Sequence, residues 1–161
     1  MSLIFVISPP RAGSTLLQRM LGAHSEILTH PEPHLISPIA HLGVYGNVDK
    51  APYDHINAAE AIRSFIADLP NREQDYLDAL RAYTDTLYGR MLSTSNCSYF
   101  VDKTPANALV LPFLQKLYPD AKYLVLTRHP LAVFSSYANS FFHGDWQAAQ
   151  AFNPILQRYV P

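Results

Sequence analysis

The stretch SPPRAGSTLL (8–17) places a cation, a glycine and two hydroxyls in one turn between apolar segments. Gly13 permits a positive φ and lets a ligand come close to the backbone. If a helix starts at Ser14, the N–H groups of Gly13, Ser14, Thr15 and Leu16 are unsatisfied donors that point at an anion. Ser14 and Thr15 add hydroxyls, and the Arg11 guanidinium can grip an oxyanion with two parallel bonds. The same turn would also serve as a plain helix start, because Ser14 alone is a good N-cap. A nucleotide-hydrolysing phosphate loop carries Lys immediately before its Ser or Thr, where this chain has Gly13. That lysine and the hydroxyl-bound magnesium belong to ATP and GTP chemistry. A kinase or GTPase is therefore disfavoured.

Further polar residues follow other apolar runs. SYFVDK (98–103) ends in Lys103, and AKYLVLTR (121–128) ends in Arg128. HPEPH (30–34) holds Glu32 between His30 and His34. Glu32 is the carboxylate among these cations. Histidine's ordinary pKa also suits a general base near neutrality. His24, His30, His34 and His41 match no helical ligand pair, and no cysteine stands near them, so they make a poor zinc set.

These groups need elements that bring them together. LIFVIS (3–8) is continuously apolar, as parallel strands covered on both faces tend to be. Residues 14–23 read as a helix with Leu16, Leu17, Met20 and Leu21 on its apolar face. EILTH (26–30) is a short extended piece, and the Pro- and Gly-rich stretch 31–56 reads as loop. Two helices should follow, the first capped by Asn57 with Glu60 at capping-box spacing, the second over 73–92. SYFVDK is read as a strand and AKYLVLTR as a second buried strand. Pro130 suits the first position of a helix over 129–142. Alternating strands and helices predict an α/β fold: a mostly parallel central sheet flanked by helices, in a three-layer architecture like that of P-loop kinases. In such sheets ligands bind beyond the carboxyl ends of the strands. Arg11, Glu32, Lys103 and Arg128 would all stand there. LIFVI is expected between the strands that lead to Lys103 and Arg128.

The bulk numbers set limits. The chain has 161 residues, enough for one domain with a core. A net charge of -1 gives no argument for nucleic acid or an anionic membrane surface. No apolar run approaches the roughly 20 residues of a membrane helix. The single cysteine, Cys97, excludes an intrachain disulfide framework and fits a reducing, cytoplasmic setting. Nothing in the sequence indicates the oligomeric state.

Three blocks carry a family resemblance. PPRAGSTLL resembles the 5'-phosphosulfate loop of PAPS-dependent sulfotransferases, usually written P-[RK]-[ST]-G-[ST]-[ST]-x-L. YLVLTRHPLAVFSSY (123–137) resembles their 3'-phosphate segment, with Arg128 and Ser136 at the family's spacing. DKTP (102–105), with the helix-like run after it, resembles the bacterial and tyrosylprotein-like branch. Ala12 departs from the usual Ser or Thr, and His129 from the usual Asp. Members are usually longer, so the expectation is one sulfotransferase-like domain over 1–161 without the family's C-terminal portion.

The resemblance implies a sulfotransferase that moves a sulfuryl group from PAPS (3'-phosphoadenosine 5'-phosphosulfate) to an acceptor hydroxyl and releases PAP. Arg11 and Lys103 would stabilise charge on the leaving group. The turn Arg11, Ala12, Gly13, Ser14, Thr15, Leu16 would hold the 5'-phosphate. Arg128 and Ser136 would read the 3'-phosphate. No metal is implied. In the tyrosylprotein branch a Glu stands about twenty residues beyond the loop Arg, which favours Glu32 as the base, with His34 and then His30 as alternatives. The acceptor stays open among small molecules, glycans and peptides. Two rival readings are a P-loop-type nucleotide phosphotransferase and a non-catalytic PAP- or PAPS-binding module.

Overall fold

The computed structural model describes residues 2–48 and 50–159. Contacts gather the chain into two compact units. One runs to Pro33 and includes Cys97–Leu109 and the residues from Ala121 onward; the other is His34–Asn96 with Val110–Asp120.

The first unit is built on a four-stranded sheet. Its strands are β1 (Ser2–Ile7), β2 (Ile27–Pro31), β3 (Tyr99–Lys103) and β4 (Lys122–Val125), in the order β2-β3-β1-β4. Every pairing is parallel. The α/β fold expected from the alternation of elements is the one observed. β1 lies between β3 and β4, as a convergence of their carboxyl ends requires. Leu3 to Ile7 are all buried, so β1 carries the continuous apolar run of a central strand. Pro9 and Pro10 follow, and a residue without an N–H cannot extend the ladder.

Helix α1 (Ser14–Leu21) packs on β2 and β3, with Leu17 and Leu21 against Ile4, Val6 and Val101. Three more helices complete this unit: α6 (Pro130–Phe142), α7 (Trp146–Phe152) and α8 (Ile155–Tyr159). They share an apolar cluster of Val133, Phe134, Tyr137, Ala138, Ala149 and Ile155. Pro130 occupies the first turn of α6, as its fixed φ favours.

The second unit contains α2 (Ile36–Ala40), α3 (His55–Ala67), α4 (Glu73–Leu92) and α5 (Leu111–Leu117). The Tyr45 ring packs against Tyr76 and Phe113 in this unit. Thr84 and Tyr118 share a buried hydrogen bond of 2.6 Å, and Tyr118 donates to Asp85 at 2.8 Å. No helix among the described residues is long and apolar enough to cross a membrane.

Several local expectations are corrected. The α1 face predicted from leucines is split: Leu16 and Met20 are 65% and 66% exposed, while Ser14 and Gln18 are buried. A polar side chain turns inward there because a backbone carbonyl meets it, as described below. β4 is an edge strand, with Val125 70% exposed, so its apolar run specified a strand but not a central place. Asp54, not Asn57, caps α3, accepting from the N–H groups of Ile56 and Asn57. On α4, Tyr83, Leu87 and Met91 are exposed while Thr84 is buried against Tyr118. The short helices α2 and α8 lie in segments whose prolines masked any helical period, and α7 is only two turns long.

Candidate active site

Sheet register brings the first group together. Pro31 on β2 pairs with Lys103 on β3. The next residue, Glu32, therefore leaves the sheet beside Lys103, and the ammonium donates to its carboxylate at 2.5 Å. Lys103 is 3% exposed, between buried Asp102 and Thr104. The Thr104 hydroxyl donates to Asp102 at 2.7 Å, which pins the strand end on either side of the lysine.

Gln18, one turn along α1 from Ser14, donates its amide to the carbonyl of His30 at 2.7 Å. The helix that starts at the anion turn is thus tied to the strand that delivers Glu32. His30 turns its own Nδ1 onto the carbonyl of Pro31 at 2.7 Å. Beside the Lys103–Glu32 pair opens a cleft of about 530 Å³ lined by Thr15, Gln18, Arg19, Thr29, Pro31, Glu32 and Lys103.

The second group gathers around Arg11. This residue has φ 66 and Gly13 has φ 102, so the turn uses left-handed backbone twice. For a non-glycine residue that conformation costs on the order of 1 kcal/mol and clusters at functional sites. Arg128 supports it, donating to the Arg11 carbonyl at 2.9 Å. The Arg11 guanidinium donates to Ser140 at 2.7 Å and to Ser136 at 3.3 Å, and lies 5.4 Å from the Phe141 ring centre. Arg11, Arg128 and Ser136 are therefore neighbours. These side-chain contacts tie Arg11 to α6.

Gly13 is the N-cap of α1, and no side chain caps the helix. The Ser14 cap that a plain helix start would use is not made. The Leu16 N–H turns back onto the Gly13 carbonyl at 3.0 Å, which leaves the donors of Gly13, Ser14 and Thr15 as the core of the cradle. Ala12 and Ser14 are buried, and Thr15 and Leu16 are exposed. His34, with φ 53, opens the second unit and is not among the residues lining the cleft. Among the described residues no three His, Cys, Asp or Glu side chains gather in a way that could hold a metal ion.

Sequence reasoning missed Gln18 and Ser140. Ser140 is one turn beyond Ser136, so the i, i+4 spacing on α6 was a signal that could have found it. Gln18 gave no such signal, since its partner is a main-chain carbonyl.

The chain is similar to known proteins. A family model described as "Sulfotransferase family" matches residues 3–159. Nodulation protein NoeE of Sinorhizobium fredii (strain NBRC 101917 / NGR234) is 33% identical over 132 residues, 82% of this chain and 30% of its own length. Protein-tyrosine sulfotransferase 1 of Homo sapiens is 29% identical over 128 residues, 80% of this chain and 31% of its own. This chain thus spans under a third of either relative. Among solved structures, the sulfotransferase domain from the curacin biosynthetic pathway aligns with a TM-score of 0.53 at 22% identity, over 99% of this chain and 64% of that one. At that identity the likeness is one of fold.

Proposed function

Because this chain belongs to the sulfotransferase family, we propose that it moves a sulfuryl group from PAPS to an acceptor hydroxyl. The observation that carries this reading is that two pairs, Lys103 with Glu32 and Arg128 with Arg11, each stand at or beyond the carboxyl ends of parallel strands. The donor supplies an activated sulfuryl group, and PAP is what remains of it. The donor set fits that molecule: two groups of cations, each beside hydroxyls or free backbone N–H groups, suit its two phosphate-bearing ends.

Each residue then has a role. The N–H groups of Gly13, Ser14 and Thr15 hold the 5'-phosphate with the Ser14 and Thr15 hydroxyls. Ala12 and Leu16 complete that turn. Arg128 and Ser136 read the 3'-phosphate. Arg11, backed by Arg128, and Lys103 offset the negative charge that grows on the leaving oxygen, which is electrostatic catalysis by preorganised donors. An ammonium has three donors, so Lys103 can hold Glu32 with one and face the leaving group with another. Glu32, held at the rim of the cleft, accepts the proton of the acceptor hydroxyl. The acceptor comes from the side of the cleft, as a small molecule, glycan or peptide bearing a hydroxyl. The single cysteine supports a reducing, cytoplasmic setting for this reaction. In this reading residues 1–161 act as one sulfotransferase-like domain.

Comparing PAP with ADP tests the reading. A ligand that binds only the folded state stabilises it by about 2.7 kcal/mol at a hundredfold excess over Kd. PAP should raise the melting temperature more than ADP at equal concentration, because ADP lacks the 3'-phosphate assigned to Arg128 and Ser136. The shift should persist in EDTA. Equal shifts from PAP and ADP would remove the 3'-phosphate assignment, and a shift abolished by EDTA would remove the metal-free reading.

A further inference from the structure

The cleft beside Glu32 carries a charge that the proposed transfer does not use. Lys103 and Glu32 neutralise each other across 2.5 Å. Among the described residues of the lining, the other charged one is Arg19, whose guanidinium is not offset by that pair. Its side chain makes no hydrogen bond or ion pair to any described residue. It stands four residues after Thr15 on α1, a spacing that puts both on one face of the helix. The cleft therefore has net positive charge on its outer wall, next to the carboxylate that would take the acceptor's proton.

The rest of the lining narrows the acceptor further. Thr29 offers a hydroxyl, and Gln18 keeps an amide oxygen while its nitrogen holds His30. Among the described residues no aromatic ring lines the space. A phenol would want a flat apolar wall for its ring. A molecule with several hydroxyls and a carboxylate would find hydrogen-bond partners and a guanidinium fork. The volume, about 530 Å³, is in the range of small-molecule sites.

We propose that Arg19 is an acceptor-recognition residue and that the acceptor is a hydroxyl-rich anion of the acidic-sugar type. This rests on the reading of Glu32 as the base, since that assignment makes the cleft the acceptor side. Arg19 also sits in the last turn of α1, where any cation suits the helix dipole. A dipole role alone would not discriminate between ligands.

The test is a binding titration of the full chain with methyl β-D-glucuronide, methyl β-D-glucoside and N-acetyl-tyrosine amide, with and without PAP. The two glycosides differ in one carboxylate. The unaltered protein should bind the glucuronide about tenfold more tightly than the glucoside, a charge-assisted preference. Arg19→Gln should bring that ratio to about one, Arg19→Glu should invert it, and Arg19→Lys should keep part of it. PAP affinity should stay the same in all three variants. Equal binding of the two glycosides by the unaltered protein overturns the proposal, as does a preference that survives Arg19→Gln. Tightest binding of the tyrosine derivative overturns it too and gives the cleft to a phenol. Failure of PAP to bind counts against the donor reading instead, and the titration without PAP still decides the role of Arg19.

Discussion

Glu32 and Lys103 form a pair whose halves have unequal surroundings: the lysine side chain is 4% exposed and the carboxylate 40%. Removing the carboxylate altogether would leave a buried cation without its partner, a costly change. Glu32→Gln is the better probe because its amide oxygen still accepts from Lys103. If Glu32 is the base, this variant should lose about 10²- to 10⁴-fold in turnover while PAP affinity stays nearly intact. Steady-state rates and PAP calorimetry on the same preparation check both halves. A Gln18 variant addresses positioning. Gln18→Glu has the same shape but, as a carboxylate, cannot donate to the His30 carbonyl. Its kcat should fall by up to about 10²-fold, as small misplacements near the chemistry do, with donor affinity unchanged. Gln18 acts through β2, so a fall in donor affinity equal to the fall in kcat would refute a positioning role.

The elements differ in how they hold these residues. α6 contributes Ser136 and Ser140 to one guanidinium, so the helix and the turn before α1 are joined by side chains and not by main-chain pairing. Arg128→Ala should weaken PAP binding and also free the strained Arg11 carbonyl. Calorimetry should show a larger loss for Arg128→Ala than for Ser140→Ala. In the second unit, α4 is fastened to the end of α5 through Tyr118. Burial raises the pKa of the Tyr118 hydroxyl well above its ordinary 10.0, the Thr84 hydrogen bond opposes this, and Asp85 adds to the rise. The folded state thus favours the neutral phenol. Its stabilisation is whole below pH 10.0 and declines as pH rises toward the higher folded value, because the unfolded chain ionises first. Urea midpoints from about pH 8 to about pH 11 should fall, and Tyr118→Phe should flatten that fall. At neutral pH the same variant should cost about 1 kcal/mol for the lost hydrogen bonds.

At the scale of the molecule, the candidate site falls almost wholly within one of the two units. The cradle, both cation groups and the cleft lie in the first unit; of the predicted site residues only His34 lies in the second. PAP should therefore slow amide hydrogen exchange around 9–18, 99–104 and 126–140, with little direct effect on α3 or α4. Exchange followed by mass spectrometry, with and without PAP, reads this directly. Protection centred on α3 and α4 would move the donor site out of the first unit.

The sequence by itself determined the site's residue types, their order and the class of fold. A continuous apolar run, a glycine where positive φ is needed and a charged residue at or beyond the end of each strand are local features, legible in one dimension. The tertiary structure decided which residues share a space. Parallel register, set by the pairing of Pro31 with Lys103, joined Glu32 to Lys103 across 71 residues of chain. The fold sent Arg11 to Ser136 and Ser140, and turned Gln18 inward to a main-chain carbonyl that no side-chain pattern announces. It also placed β4 at the sheet edge, because an apolar strand carries no label for its neighbours. Periodicity reports which face of an element is apolar. Which partner covers that face, or replaces it with a hydrogen bond, depends on contacts between residues far apart in the chain.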